Sequence, residues 1–104
     1  MSSGYALHPE AFADLNDIRD YIAQENPDAA DRVMSEIFDT MRGFVSFPLR
    51  GHRRPDLGSR PLRFTLVREY LIAYAPEEQP LWVVAVMHGR RNPRIMAAIL
   101  RGRE

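Results

Sequence analysis

The segment Met87-His-Gly-Arg-Arg-Asn-Pro93 sets a histidine and two arginines at the end of the longest apolar run of this 104-residue chain. A histidine exchanges a proton near neutral pH. Arg90 and Arg91 beside it can neutralise a phosphate or a carboxylate through their planar forks. Arg60, Arg63 and Arg68 lie upstream, and Glu69 offers a second acid or base. Cleavage of RNA by its own 2′-hydroxyl needs a base, an acid and cations around the phosphorane. On that chemistry His88 and Arg63 form a conditional catalytic pair. The same residues have a plainer reading. His88 can end a strand, Glu69 can sit in a turn that polar residues occupy anyway, and the arginines can hold the last helix through acids on the first. No tyrosine follows His88, and lysine, a common proton carrier when its pKa is depressed, is absent from the whole chain. Cleavage is therefore possible chemistry but weakly specified.

Other chemistries have less support. No His-Glu-x-x-His, no paired histidines and no phosphate-cradling glycine loop occurs, so neither metal nor nucleotide cofactor is expected. The absence of cysteine excludes disulfides, thiolate catalysis and Cys-based zinc sites. His52 sits beside Arg50, Arg53 and Arg54 in a loop, where binding and plain solvation are both open; His8 reads as a strand-to-helix junction. All fourteen basic residues are arginine. Residues 1–49 hold nine acids against three arginines, a net of −6, and residues 50–104 hold eleven arginines against five acids, a net of +6. The zero net charge thus conceals a dipolar chain whose arginine-rich half is suited to an anionic partner.

These side chains need a scaffold. The length fits a single domain over 1–104, which buries about 65% of the surface of its unfolded chain. The N-terminus lacks the charged flank and apolar run of a signal peptide. The longest apolar run, Leu81–Met87, is far short of a membrane span. A cytoplasmic location and no membrane contact are expected. Tyr5-Ala6-Leu7 predicts a brief strand stopped by His8-Pro9. Phe12, Leu15, Ile18 and Ile22 recur at helical spacing and predict a buried face, with Asp14, Asp17 and Asp20 on the solvent side and an end near Glu25. Asn26-Pro27 caps and starts a second helix, in which Ala30, Val33, Met34, Ile37, Met41 and Phe44 keep the period until Phe47-Pro48. After a polar connection, Leu62, Phe64 and Leu66 alternate with Arg63, Thr65 and Val67 as a strand with one wetter face. Tyr70–Ala75 and Leu81–His88 are apolar on both faces and predict inner strands, the latter central. Asn92-Pro93 starts a short terminal helix containing Ile95, Met96, Ile99 and Leu100. The fold class is α+β, in the order β-α-α-β-β-β-α. Connections this short require antiparallel strands, so an antiparallel sheet with a helical hairpin on one face is expected. The far face then needs cover. A partner protein is the favoured cover, with the terminal helix or a second copy as alternatives.

Several stretches in this order resemble one family. Ala13-Asp-Leu-Asn-Asp-Ile-Arg-Asp-Tyr-Ile22, Asn26-Pro-Asp-Ala-Ala-Asp-Arg32, Phe47-Pro-Leu-Arg-Gly51, Tyr70-Leu-Ile-Ala-Tyr74 and Met87-His-Gly-Arg-Arg-Asn-Pro93 are similar to the ParE/RelE toxins of bacterial type II toxin–antitoxin systems. The last two look most like the ParE branch. The resemblance implies a RelE/ParE-like fold and a toxin silenced by a cognate, ParD-like antitoxin. The antitoxin lays apolar anchors into a groove and acidic groups on a basic rim. Arg60, Arg63, Arg68, Tyr70, Tyr74, His88, Arg90 and Arg91 are the expected antitoxin- or target-binding residues. A ParE-like member poisons DNA gyrase by binding. A RelE-like member cuts mRNA on the ribosome, and only then would direct nucleic-acid contact be expected. This chain departs from the RelE pattern in lacking lysine and a tyrosine after His88. A small interaction domain without activity is the third reading.

Overall fold

The structure, a computed structural model, describes residues 4–103. Its elements are β1 (Tyr5–Leu7), α1 (Pro9–Ala23), α2 (Pro27–Ser46), a 3-10 turn (Pro55–Leu57), β2 (Arg63–Val67), β3 (Tyr70–Ala75), β4 (Leu81–His88) and α3 (Pro93–Arg101). The expected order holds throughout. Each helix starts with a proline behind a side-chain cap. His8 Nδ1 accepts from Glu10 N at 3.0 Å, Asn26 Oδ1 from Ala29 N at 3.0 Å, and Asn92 Oδ1 from Arg94 N at 2.8 Å. In each case the proline has no N–H to leave unsatisfied while the cap serves a free amide of the first turn.

The sheet order is β1-β4-β3-β2. β2, β3 and β4 are antiparallel, as their short turns require. β1 is the exception to the fully antiparallel sheet read from the sequence: it runs parallel to β4, pairing Tyr5 with Leu81 and Leu7 with Val83. Its link to the other strands is the whole helical hairpin, so no tight turn dictates its direction. Between Ala73↔Ala85 and Tyr74↔Val83 the register slips by one residue, leaving Val84 as a bulge. The bulge lets Val83 and Val86 both face the hairpin while Val84 and Ala85 both face α3.

Two apolar layers result. The hairpin contributes Ala11, Leu15, Val33, Met34, Ile37, Met41 and Phe44 against Tyr70, Ile72, Tyr74, Val83 and Val86. All six predicted α2 positions are buried. In α1, Ala11 takes the inner position expected of Phe12, which is 58% exposed. On the far face, Met96 and Leu100 of α3 and Leu57 of the 3-10 turn cover Phe64, Leu71, Ala73, Ala85 and Met87. The far face is therefore covered by the chain itself, not left for a partner as the sequence suggested. Met96 and Leu100, four residues apart, give even this short helix an anchoring stripe. Leu66 lies beyond the reach of α3 and is 61% exposed.

β1 ends at Leu7, and His8 N closes the pairing on Val83 O at 2.9 Å. Beyond that point β4 would show a bare edge. Asp14 of α1 fills it, accepting from Val86 N at 3.0 Å, while Arg103 donates to Val84 O at 3.1 Å. The two side chains also join each other through a two-armed ion pair, at 2.6 and 3.0 Å. Asp14, assigned to solvent by helical period, is thus an interior edge substitute for a missing strand.

Candidate functional site

A cleft of about 520 Å³ opens between α1, the start of α2 and the tip of the β2–β3 hairpin. Ile18, Ile22 and Val33 form its apolar side; Tyr21, Arg68, Glu69, Tyr70 and His88 bring polar groups. Three of the expected site residues therefore meet here: Arg68, Tyr70 and His88. Arg68 takes the left-handed position of the two-residue turn at φ 56°, a conformation that costs a side-chain-bearing residue some strain. Its guanidinium grips both carboxylate oxygens of Glu36 on α2, at 2.8 and 2.7 Å. That hydrogen bond lowers the Glu36 pKa below its usual range and raises that of Arg68. The pair is exposed, so it orients the hairpin tip more than it stabilises the fold.

His88 is engaged at both nitrogens. Nδ1 accepts the Arg90 amide at 3.2 Å, which leaves the ring proton on Nε2, 3.0 Å from Glu69 Oε1. Tyr70 packs its ring edgewise against the imidazole, centroids 5.7 Å apart. Burial first, then the charge of Glu69, raises the Tyr70 pKa. Gly89 keeps this corner tight. Its N–H donates to Glu69 O at 2.7 Å, and a Cβ there would stand 3.2 Å from the same carbonyl.

The remaining expected residues go elsewhere. Arg63 pairs with Tyr74 at the other end of the hairpin, four residues from the Tyr70↔His88 pair. That is roughly 13 Å along the strands and a further ~9.6 Å across two of them. The fold thus does not bring His88 and Arg63 together. Arg63 instead donates to Leu49 O at 3.3 Å and Gly51 O at 3.0 Å. Tyr74 is fully buried, stacked on Phe44 with centroids 3.9 Å apart. Its hydroxyl donates to Pro48 O at 2.7 Å and accepts from Gly51 N at 2.9 Å. A Cβ on Gly51 would fall 2.7 Å from that hydroxyl. Tyr74 and Arg63 therefore fasten the Phe47–Gly51 loop, and Tyr74 offers no surface to a partner in this state. Burial is the first cause of a raised Tyr74 pKa.

Arg60 donates to Leu100 O at 3.1 Å, which ties the β2 lead-in to α3. Arg54 is taken by Asp56. Arg90 and Arg91 are exposed, and their guanidinium groups have no partner among the described residues; the same is true of Arg53, Arg94 and Arg101. The helix-tying arginine foreseen at 90 or 91 is Arg103. Among the described residues no cluster of His, Asp or Glu could hold a metal ion. Sequence reasoning missed Glu36, Tyr21 and the Asp14–Arg103 pair. Asp14 and Arg103 are 89 residues apart and share no local signal, whereas Glu36 and Tyr21 read as ordinary polar-face positions.

No helix among the described residues is long and apolar enough to cross a membrane. No curated protein matches the chain. The family model for the ParE toxin of type II toxin–antitoxin systems, parDE, matches residues 5–93, from the start of β1 to the first residue of α3. With that span and this arrangement of hairpin and sheet, the chain belongs to the ParE toxin family, and so to the type II systems in which a toxin is paired with an antitoxin.

Proposed function

We propose that the chain inhibits DNA gyrase by binding it, without bond chemistry, and that a ParD-like antitoxin neutralises it. The observation that carries this reading is the state of His88. A proton shuttle needs a ring nitrogen facing substrate, and here both nitrogens are spent on Arg90 N and Glu69. Arg63, the cation it would need, is tied to a loop at the other end of the sheet. In contrast, the guanidinium groups of Arg90, Arg91 and Arg94, where β4 passes into α3, have no partner among the described residues. Free guanidinium groups on an ordered frame suit recognition of a protein surface.

The test is gyrase-driven supercoiling of relaxed plasmid with purified protein, scoring inhibition and trapped double-strand breaks. Inhibition that antitoxin reverses, and that Arg91→Glu with Arg94→Glu removes, is the expected result. These exposed positions suit the test better than truncation after Gly89, which would strip the cover from Leu71, Ala73 and Met87. Undisturbed supercoiling by a folded sample would overturn the reading; RNA cut on ribosomes in a parallel reaction would replace it.

A further inference from the structure

The guanidinium groups of Arg90 and Arg91 are held by nothing among the described residues, so the backbone that carries them sets their aim. That backbone, the passage from β4 into α3, is braced at short intervals. Gly89 N donates to Glu69 O at 2.7 Å and Arg91 N to His88 O at 3.0 Å. The Arg90 amide donates to His88 Nδ1 at 3.2 Å, and the Arg94 amide to Asn92 Oδ1 at 2.8 Å. Each side chain serves the amide two residues after it, as His8 Nδ1 serves Glu10 N. Histidine and asparagine thus do the same work in this chain, with one difference. An amide oxygen accepts across the whole working pH range, whereas an imidazole nitrogen accepts only while it carries no proton.

The surroundings of His88 decide what a second proton does to the passage. Glu69 Oε1 holds the ring from the far side, 3.0 Å from Nε2, and Tyr70 packs edgewise on it. Asp17, Tyr21 and Arg68 line the same cleft, the last gripped by Glu36. A charged imidazole keeps Glu69 through a charge-assisted bond, but its Nδ1–H then faces the Arg90 N–H, donor against donor. The ring is anchored on the Glu69 side chain and Gly89 on the Glu69 carbonyl, so the chain gives way at Arg90. We infer that His88 is a positioning residue for Arg90 and Arg91, active as the neutral tautomer with its proton on Nε2, and that a second proton releases them. The effect on gyrase rests on the reading of these arginines as recognition groups; the release itself does not.

The experiment is NMR of the full-length, 15N-labelled chain from about pH 8 to 5.5, the range over which imidazoles change charge. At the alkaline end the His88 ring nitrogens should report the proton on Nε2. On acidification the Arg90 amide proton should move upfield, and the heteronuclear NOEs of Arg90 and Arg91 should fall. His88→Asn supplies the kind of oxygen that Asn92 gives Arg94, and should keep both residues ordered without the pH response. His88→Ala should leave them loosened at every pH, while thermal melting shows both variants folded. In the supercoiling assay at the alkaline end, His88→Ala should inhibit about two- to tenfold less well, the share of one hydrogen bond, and His88→Asn should restore inhibition. The proposal is overturned if the neutral ring carries its proton on Nδ1, if the Arg90 amide ignores pH, or if the asparagine variant is as loose as the alanine one. Supercoiling undisturbed by the wild type would overturn the gyrase reading alone, because the NMR outcomes judge His88 by themselves.

Discussion

At the scale of single residues, side chains that invited a catalytic or binding reading hold the backbone in place. Tyr74 makes the point. Its aromatic type and strand position were plain in the sequence, but its two hydrogen bonds cross to a loop more than twenty residues away. No local pattern announces such bonds. The chain has no lysine, so no ammonium group overlaps the alkaline behaviour of Tyr74. Burial raises the Tyr74 pKa from its ordinary 10.0, favouring the neutral phenol in the fold. The resulting stability is complete below the unfolded value near 10 and is lost as pH climbs through the raised folded value. Tyr74→Phe keeps the stack on Phe44, should cost about 1–2 kcal/mol at pH 7, and should flatten the alkaline decline. Urea midpoints taken across that range check this; parallel declines for both proteins would refute the assignment. Tyr70, also raised, leaves a residual slope.

At the scale of elements, boundaries and partners were legible to different depths. The capping asparagines, the prolines behind them and the six-residue stripe of α2 are local facts, and the sequence displayed them. The direction of β1, the bulge at Val84 and the use of Asp14 are not local. They follow from β1 being three residues long against a β4 of eight, so that most of one β4 edge has no strand beside it. The Asp14–Arg103 fork answers that shortage. Both side chains are mostly buried, at 18% and 12% exposure, so removing one leaves the other charged and poorly solvated. Asp14→Ala should destabilise by about 2–3 kcal/mol and lower the melting temperature by roughly 10–20 °C. Arg103→Ala should cost less than this, and the double variant clearly less than the sum. Additive losses would mean that the two side chains act independently.

At the scale of the whole molecule, the charge asymmetry seen along the chain becomes an asymmetry between layers. The helical hairpin carries the nine acids of the first half, and α3 with its approaches carries most of the free arginines, with the sheet between them. Arg68–Glu36 and Arg103–Asp14 are the ion pairs that reach back to the acidic layer. An antitoxin that recognises the arginine layer should lose affinity as salt rises from about 0.05 to 0.5 M, because the screening length shrinks from above 10 Å toward a few ångströms. Titration calorimetry over that series decides it, and a flat response would make the arginines spectators to apolar contact. The parallel pairing of β1 with β4, sealed by Arg103, has a last consequence, one of timing. β1 finds its neighbour only after Leu81–Val83 have been made, and the edge beside it closes only when Arg103 has followed. A nascent chain that stops short of Arg103 therefore lacks the two side-chain bonds that close the β4 edge.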